Sequence, residues 1–86
     1  MAGYLFHPAA EKELLSFPLD MQVRLIEKIK ELCQLSHPLR SRNVKKLKGY
    51  GEPTFRLRDG NYRAMFVLRK SSLLYITEVE SRQAGY

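Results

Sequence analysis

The sequence predicts a small α+β domain: an N-terminal strand and a helical hairpin packed on one face of an antiparallel sheet of three to four strands. Three observations carry this. Apolar residues recur at three- and four-residue steps in the first half of the chain, the period of a helix. In the second half they alternate with cations between glycine- and asparagine-bearing turns, the period of a strand. The 86 residues allow one domain over 1–86 with one modest core, because a chain this short buries only about two-thirds of the surface that its unfolded form exposes. Multidomain enzymes and large dinucleotide-binding folds are excluded.

Gly3–Phe6 is a short apolar stretch suited to an edge strand, ended by His7-Pro8. Pro8 fits a first helical turn, where its missing N–H loses no bond. The helix that follows, Pro8 to about Ser16, carries Ala9, Leu14 and Leu15, with Glu11 and Glu13 toward its positive end. Phe17-Pro18 breaks it, since a residue before proline is pushed out of helical torsions. Pro18 opens a longer helix to about Leu35, with Leu19, Val23, Ile26, Ile29 and Cys33 as an apolar stripe that Leu25 and Leu32 widen. Its outer face holds Asp20 and Arg24 at the spacing of an i,i+4 ion pair. His37-Pro38 stops it.

The remaining half supplies the sheet. Asn43–Lys48 reads as a first short strand of open register, with Val44 and Leu47 among Lys45, Lys46 and Lys48. Gly49, Gly51 and Pro53 mark a turn, after which Thr54–Arg58 sets Phe55 and Leu57 against Arg56 and Arg58 on opposite faces. Asp59-Gly60-Asn61 signals a hairpin, because glycine and asparagine tolerate the positive φ of tight turns. Tyr62–Leu68, a turn at Lys70-Ser71, and Leu73–Glu80 complete the meander. With both helices on one face, the other face is left to solvent or to a ligand, and Arg56 and Arg58 point there.

The charge is uneven. The whole chain carries +6, yet residues 40–70 hold ten Lys/Arg against two acids, so this half is an anion-seeking surface. The single Cys33 allows no internal disulfide, and no Cys/His spacing fits zinc. No apolar run reaches the roughly 20 residues of a membrane span. Glu11 and Glu13 follow the N-terminus too soon for a signal peptide. The expectation is a cytoplasmic protein with no cofactor, metal or membrane partner.

Arg56 and Arg58 lie at i and i+2, with Arg63 across the hairpin and Arg82 near the chain end. A guanidinium offers a planar fork of donors that matches phosphate and stays charged at every relevant pH. Clustered with few acids, these arginines point to nucleic-acid phosphate rather than to a merely solvated face. Aromatic residues interleave: Phe55 and Phe66 read as core, Tyr62 and Tyr75 fit core or base stacking equally, and Tyr86 is the one that packing explains least. Cleavage of RNA by its own 2′-hydroxyl needs a base, an acid and a group that stabilises the extra phosphate charge. Arg56 and Arg63 suit the last task. His7 and His37 both precede prolines at helix boundaries and read as structural, so proton transfer falls to Tyr86, to Lys48 or to arginine. Cys33 reads as core, and Glu78 and Glu80 as ion-pair partners of nearby arginines.

These residues resemble the RelE/ParE superfamily of toxins from toxin–antitoxin pairs. The likeness runs through Phe6, Ala10 and Leu14, then Lys46-Leu47-Lys48-Gly49, the hairpin Phe55-Arg56-Leu57-Arg58-Asp59-Gly60-Asn61-Tyr62-Arg63, and the ending Ser81-Arg82-Gln83-Ala84-Gly85-Tyr86. Many relatives carry histidine where this chain has Ser81, and some a basic residue where it has Thr54. The resemblance implies two helices on an antiparallel sheet and a toxin that cuts messenger RNA on the ribosome. Arg56 then orients RNA, Arg63 stabilises the transition state, Arg82 and Tyr86 form a C-terminal catalytic pair, and Lys45, Lys46, Lys48 and Arg58 clamp the backbone. It also implies a cognate antitoxin that lies across the basic face or the helical hairpin and displaces a C-terminal element. ParE-like members share the fold and poison DNA gyrase, so a gyrase inhibitor without nuclease activity, or an inactive nucleic-acid-binding member, is the alternative.

Overall fold

A computed structural model describes residues 3–70 and 73–81. Its elements follow the expected order: β1 (Gly3–Phe6), α1 (Pro8–Leu15), α2 (Leu19–Cys33), a short 3₁₀ turn (Pro38–Arg40), β2 (Val44–Leu47), β3 (Thr54–Asp59), β4 (Tyr62–Arg69) and β5 (Leu73–Ser81). The strands form one five-stranded sheet in the order β1-β5-β4-β3-β2. The strands β2 to β5 are the antiparallel meander, and β1 lies at the edge, parallel to β5. The sheet is therefore mixed, because both helices intervene before the chain returns beside its first strand.

The starts of α1 and of the 3₁₀ turn use the same device. His7 Nδ1 accepts a hydrogen bond from Ala9 N at 3.0 Å, and His37 Nδ1 accepts one from Leu39 N at 3.1 Å, each capping a turn whose first residue is proline. The histidines are structural, as the sequence predicts. At the α1–α2 corner, Gln22 Nε2 donates to the Phe17 carbonyl at 2.8 Å, satisfying a backbone group that the end of α1 leaves open.

The core lies between the helices and one face of the sheet. Ala10, Leu14, Phe17, Leu25, Ile29 and Leu32 meet Phe55, Leu57, Tyr62, Ala64, Phe66, Leu74, Ile76 and Val79. Phe55 and Phe66 stack with centroids 5.5 Å apart. Tyr62 is buried against Phe17, which makes it a core residue; Tyr75 stays half-buried with Arg69 over its ring at 4.5 Å. Cys33 packs against the core, and burial pushes its thiol pKa up.

Two expectations for α2 are corrected. Its buried stripe runs through Leu25, Ile29 and Leu32, while Leu19 and Val23 are 74% and 48% exposed. The face that packs on the core is the widening one, with Met21, Ile26 and Cys33 half-buried at its borders. Arg24 pairs with Asp59 in the β3–β4 turn, Nε to Oδ2 at 2.9 Å and Nη2 to Oδ1 at 3.3 Å, rather than with Asp20. A fork-to-carboxylate contact is geometrically superior to a helical i,i+4 pair. It holds the Asp59 pKa below the usual carboxylate range.

Candidate nucleic-acid interface

The face of the sheet opposite the helices is built by strand alternation. On β3 it takes Thr54, Arg56 and Arg58, because Phe55 and Leu57 are committed to the core. Register then decides the neighbours: Lys45 stands opposite Arg56 on one side and Met65 on the other, and Arg58 stands opposite Arg63. On β5 the pairing shifts between Met65 and Phe66, leaving Thr77 as an extra residue whose hydroxyl donates to the Met65 carbonyl at 3.3 Å. This bulge keeps Ile76 and Val79 both in the core and turns Glu78 and Glu80 onto the arginine face. Two rows result, Arg56–Met65–Glu78 and Arg58–Arg63–Glu80.

One end of this face is covered. Thr54 is buried and donates to the Glu52 carbonyl at 3.0 Å, and the Glu52 carboxylate reaches Arg69 at 3.5 Å. The other end stays open and holds two adjoining hollows that share Arg56. The outer one, of about 380 Å³, is lined by Arg42, Asn43, Lys45, Arg56, Arg58 and Gly60. Four cations and no carboxylate give it a strongly positive field. The inner one, of about 190 Å³, is lined by Leu47, Arg56, Arg63, Met65, Glu78 and Glu80. Arg63 Nη1 lies 3.7 Å from Glu80 Oε1, which pairs the guanidinium with a carboxylate of the same cavity. Arg56 Nε is buried with no hydrogen-bond partner among the described residues. Buried donors are ordinarily satisfied by protein or by water, and this one belongs to the residue that both hollows share.

The turn that joins β3 to β4 frames the outer hollow. Gly60 has φ 61° and Asn61 does not adopt a positive φ, so glycine alone meets the left-handed requirement, the pattern of a II′ turn. The bidentate Arg24–Asp59 contact ties this turn to α2.

The structure brings together Lys45, Arg56, Arg58 and Arg63. Lys46 stands opposite Phe55 on the other face at the sheet edge, and Lys48 is exposed just beyond β2, so neither lines these hollows. Arg82 and Tyr86 lie outside the described residues. Sequence reasoning missed Arg42 and Asn43, which enter the outer hollow from the segment before β2. Their only signal was membership of the basic half, since no periodicity sets the facing of a segment outside a strand. Among the described residues no group of three or more His, Cys, Asp or Glu could hold a metal ion, and no helix is long and apolar enough to cross a membrane.

No protein-family model and no curated protein sequence matches the chain. Solved structures do. The RelB–RelE antitoxin–toxin complex from Methanococcus jannaschii superposes with a TM-score of 0.72 at 26% identity, covering 95% of this chain and 94% of that one. The chain is RelE-like. The archaeal RelE–RelB complex from Pyrococcus horikoshii gives 0.73 at 26% identity over 94% and 93% of the two chains. The Mycobacterium tuberculosis toxin–antitoxin complex RelBE2 gives 0.75 at 22% over 94% and 98%. The RelE-like fold thus accounts for all the described elements, from β1 to β5.

Proposed function

We propose that the protein is the toxin of a type II toxin–antitoxin pair and cuts messenger RNA bound to the ribosome. The observation that carries this is the open sheet face, where the unpartnered Arg56 Nε stands between an all-cationic hollow and one that contains Arg63. Arg42, Lys45 and Arg58 hold the RNA backbone through charge, with Lys46 and Lys48 adding to the field from the edge. Arg56 orients the scissile phosphate and Arg63 stabilises its developing negative charge. Arg82 and Tyr86 complete the site from the C-terminus. So few acid–base groups suit an enzyme whose nucleoprotein target positions the substrate for it. The partner is an antitoxin of the RelB kind, as in the neighbouring complexes, and the +6 charge favours an acidic segment that folds on binding.

The test is tightly regulated expression followed by mapping of transcript ends. Cuts within translated messages, and growth restored by the antitoxin, support the proposal. Arrested growth with intact transcripts overturns the nuclease reading, and gyrase-linked DNA breaks with an SOS response in those cells select gyrase as the target.

A further inference from the structure

Among the described residues, proton abstraction from the RNA 2′-hydroxyl has no owner in the arginines, which stay charged, or in Lys48, which lines neither hollow. Both histidines are committed as helix caps, and their Nδ1 atoms accept backbone hydrogen bonds. The inner hollow, however, contains two carboxylates beside Arg56 and Arg63. Glu80 is engaged with Arg63 at 3.7 Å. Glu78 forms no ion pair with any described residue. It stands in one row with Met65 and Arg56 across three adjacent strands, which at about 4.8 Å per strand sets its Cα roughly 10 Å from that of Arg56. At that separation both side chains reach one ribose-phosphate seated over Met65. The Thr77 bulge is what places Glu78 here; regular alternation from Tyr75 would present Thr77 and Val79 instead.

We propose that Glu78 is the general base of the cleavage, an inference that rests on the endoribonuclease reading above. The 2′ O–H bond breaks and its proton moves to a Glu78 carboxylate oxygen. The freed 2′-oxygen forms a bond to phosphorus while the P–O5′ bond breaks, its electron pair leaving on the 5′-oxygen. This oxygen takes a proton from water, and the resulting hydroxide removes the proton from Glu78. The products are a 2′,3′-cyclic phosphate and a 5′-hydroxyl end, with no change of oxidation state. Arg56 from β3 and Arg63 from β4 face Glu78 across the hollow, Glu80 stands beside it two residues on along β5, and Glu13 of α1 shares a separate hollow with Glu78 and Glu80.

The experiment measures single-turnover cleavage of ribosome-bound messenger RNA across pH by the wild type, Glu78→Gln and Glu78→Asp. Circular dichroism and thermal melting confirm that each variant folds. Glu78→Gln should cut at least about 100-fold more slowly and lose the acidic limb of the pH profile, while its ribosome affinity stays within about twofold. Glu78→Asp, which keeps the carboxylate on a shorter arm, should recover part of the rate. A Glu78→Gln rate within about threefold of wild type, with the pH profile intact, overturns the assignment of Glu78 and leaves the nuclease reading standing. A wild type that leaves ribosome-bound message intact overturns both.

Discussion

The two hollows on the open face share Arg56 and differ in everything else. The outer one gathers Arg42, Lys45 and Arg58 around it with no carboxylate, at the sheet edge and the hairpin turn. The inner one opposes Arg56 and Arg63 with Glu78 and Glu80 over an apolar floor of Leu47 and Met65. Unneutralised cations near the edge attract a polyanion through field strength and tolerate imprecise geometry. In the inner hollow a cation, Arg63, is paired with a carboxylate on the adjacent strand, which favours the set position that transition-state stabilisation requires. Under the proposed function, the difference divides the face into a region that binds and a region that reacts, with Arg56 belonging to both.

Substitutions can break this division. The largest effect is expected for Arg63→Ala, which should lower single-turnover cleavage by about 100- to 1,000-fold, the usual loss on removing one stabilising donor. Its chemical-denaturation stability should change by no more than about 0.5 kcal/mol, since Arg63 lies on the open face rather than in the core. Gly60→Ala comes next. No atom lies within 4 Å of the added methyl, so the cost is the left-handed backbone itself, about 1–2 kcal/mol in urea unfolding.

Arg42→Ala and Lys45→Ala should each weaken RNA binding only a few-fold and reduce the slope of log K against log salt by about 0.7, as expected for one lost phosphate contact on a single strand. The cleavage rate of bound RNA should be unchanged. If Arg42→Ala lowered that rate while Arg63→Ala lowered only the salt slope, the division would be reversed. The smallest effect belongs to Asp59→Asn. The folded protein holds the Asp59 pKa below its unfolded value of about 3.9, so the stability it adds is present above that pH and is lost as pH falls through the folded value. Unfolding curves at pH 6 should therefore separate wild type from variant, and the separation should shrink as the pH falls below the unfolded value.

Much of the fold was legible because the period of the apolar residues changes once, from helical to alternating, and the punctuation is sharp. Pro8, Pro18, Pro38 and Gly60 all stand at element boundaries. The alternation of β3 was equally plain, and with it the facing of Arg56 and Arg58. What escaped were features that depend on packing between distant segments. The buried stripe of α2 depends on which of its apolar residues face the core, so Leu19 and Val23 look like core in sequence and lie exposed in the fold. Arg24 has a helical neighbour of the right sign in Asp20 and a better-shaped partner 35 residues away. The bulge at Thr77 is silent in sequence, because Thr-Glu-Val-Glu reads as simple alternation. That one extra residue decides whether Glu78 meets the arginines.

The central claim is that this sheet face cleaves RNA held by a ribosome. It is tested most directly by incubating purified protein with one message, free and in programmed ribosomes, and reading the 5′ ends by primer extension. The account predicts discrete new ends in the ribosome-bound message, few or none in free RNA, and none with Arg63→Ala. Intact ribosome-bound message with the wild-type protein, or equal cutting by Arg63→Ala, would contradict it.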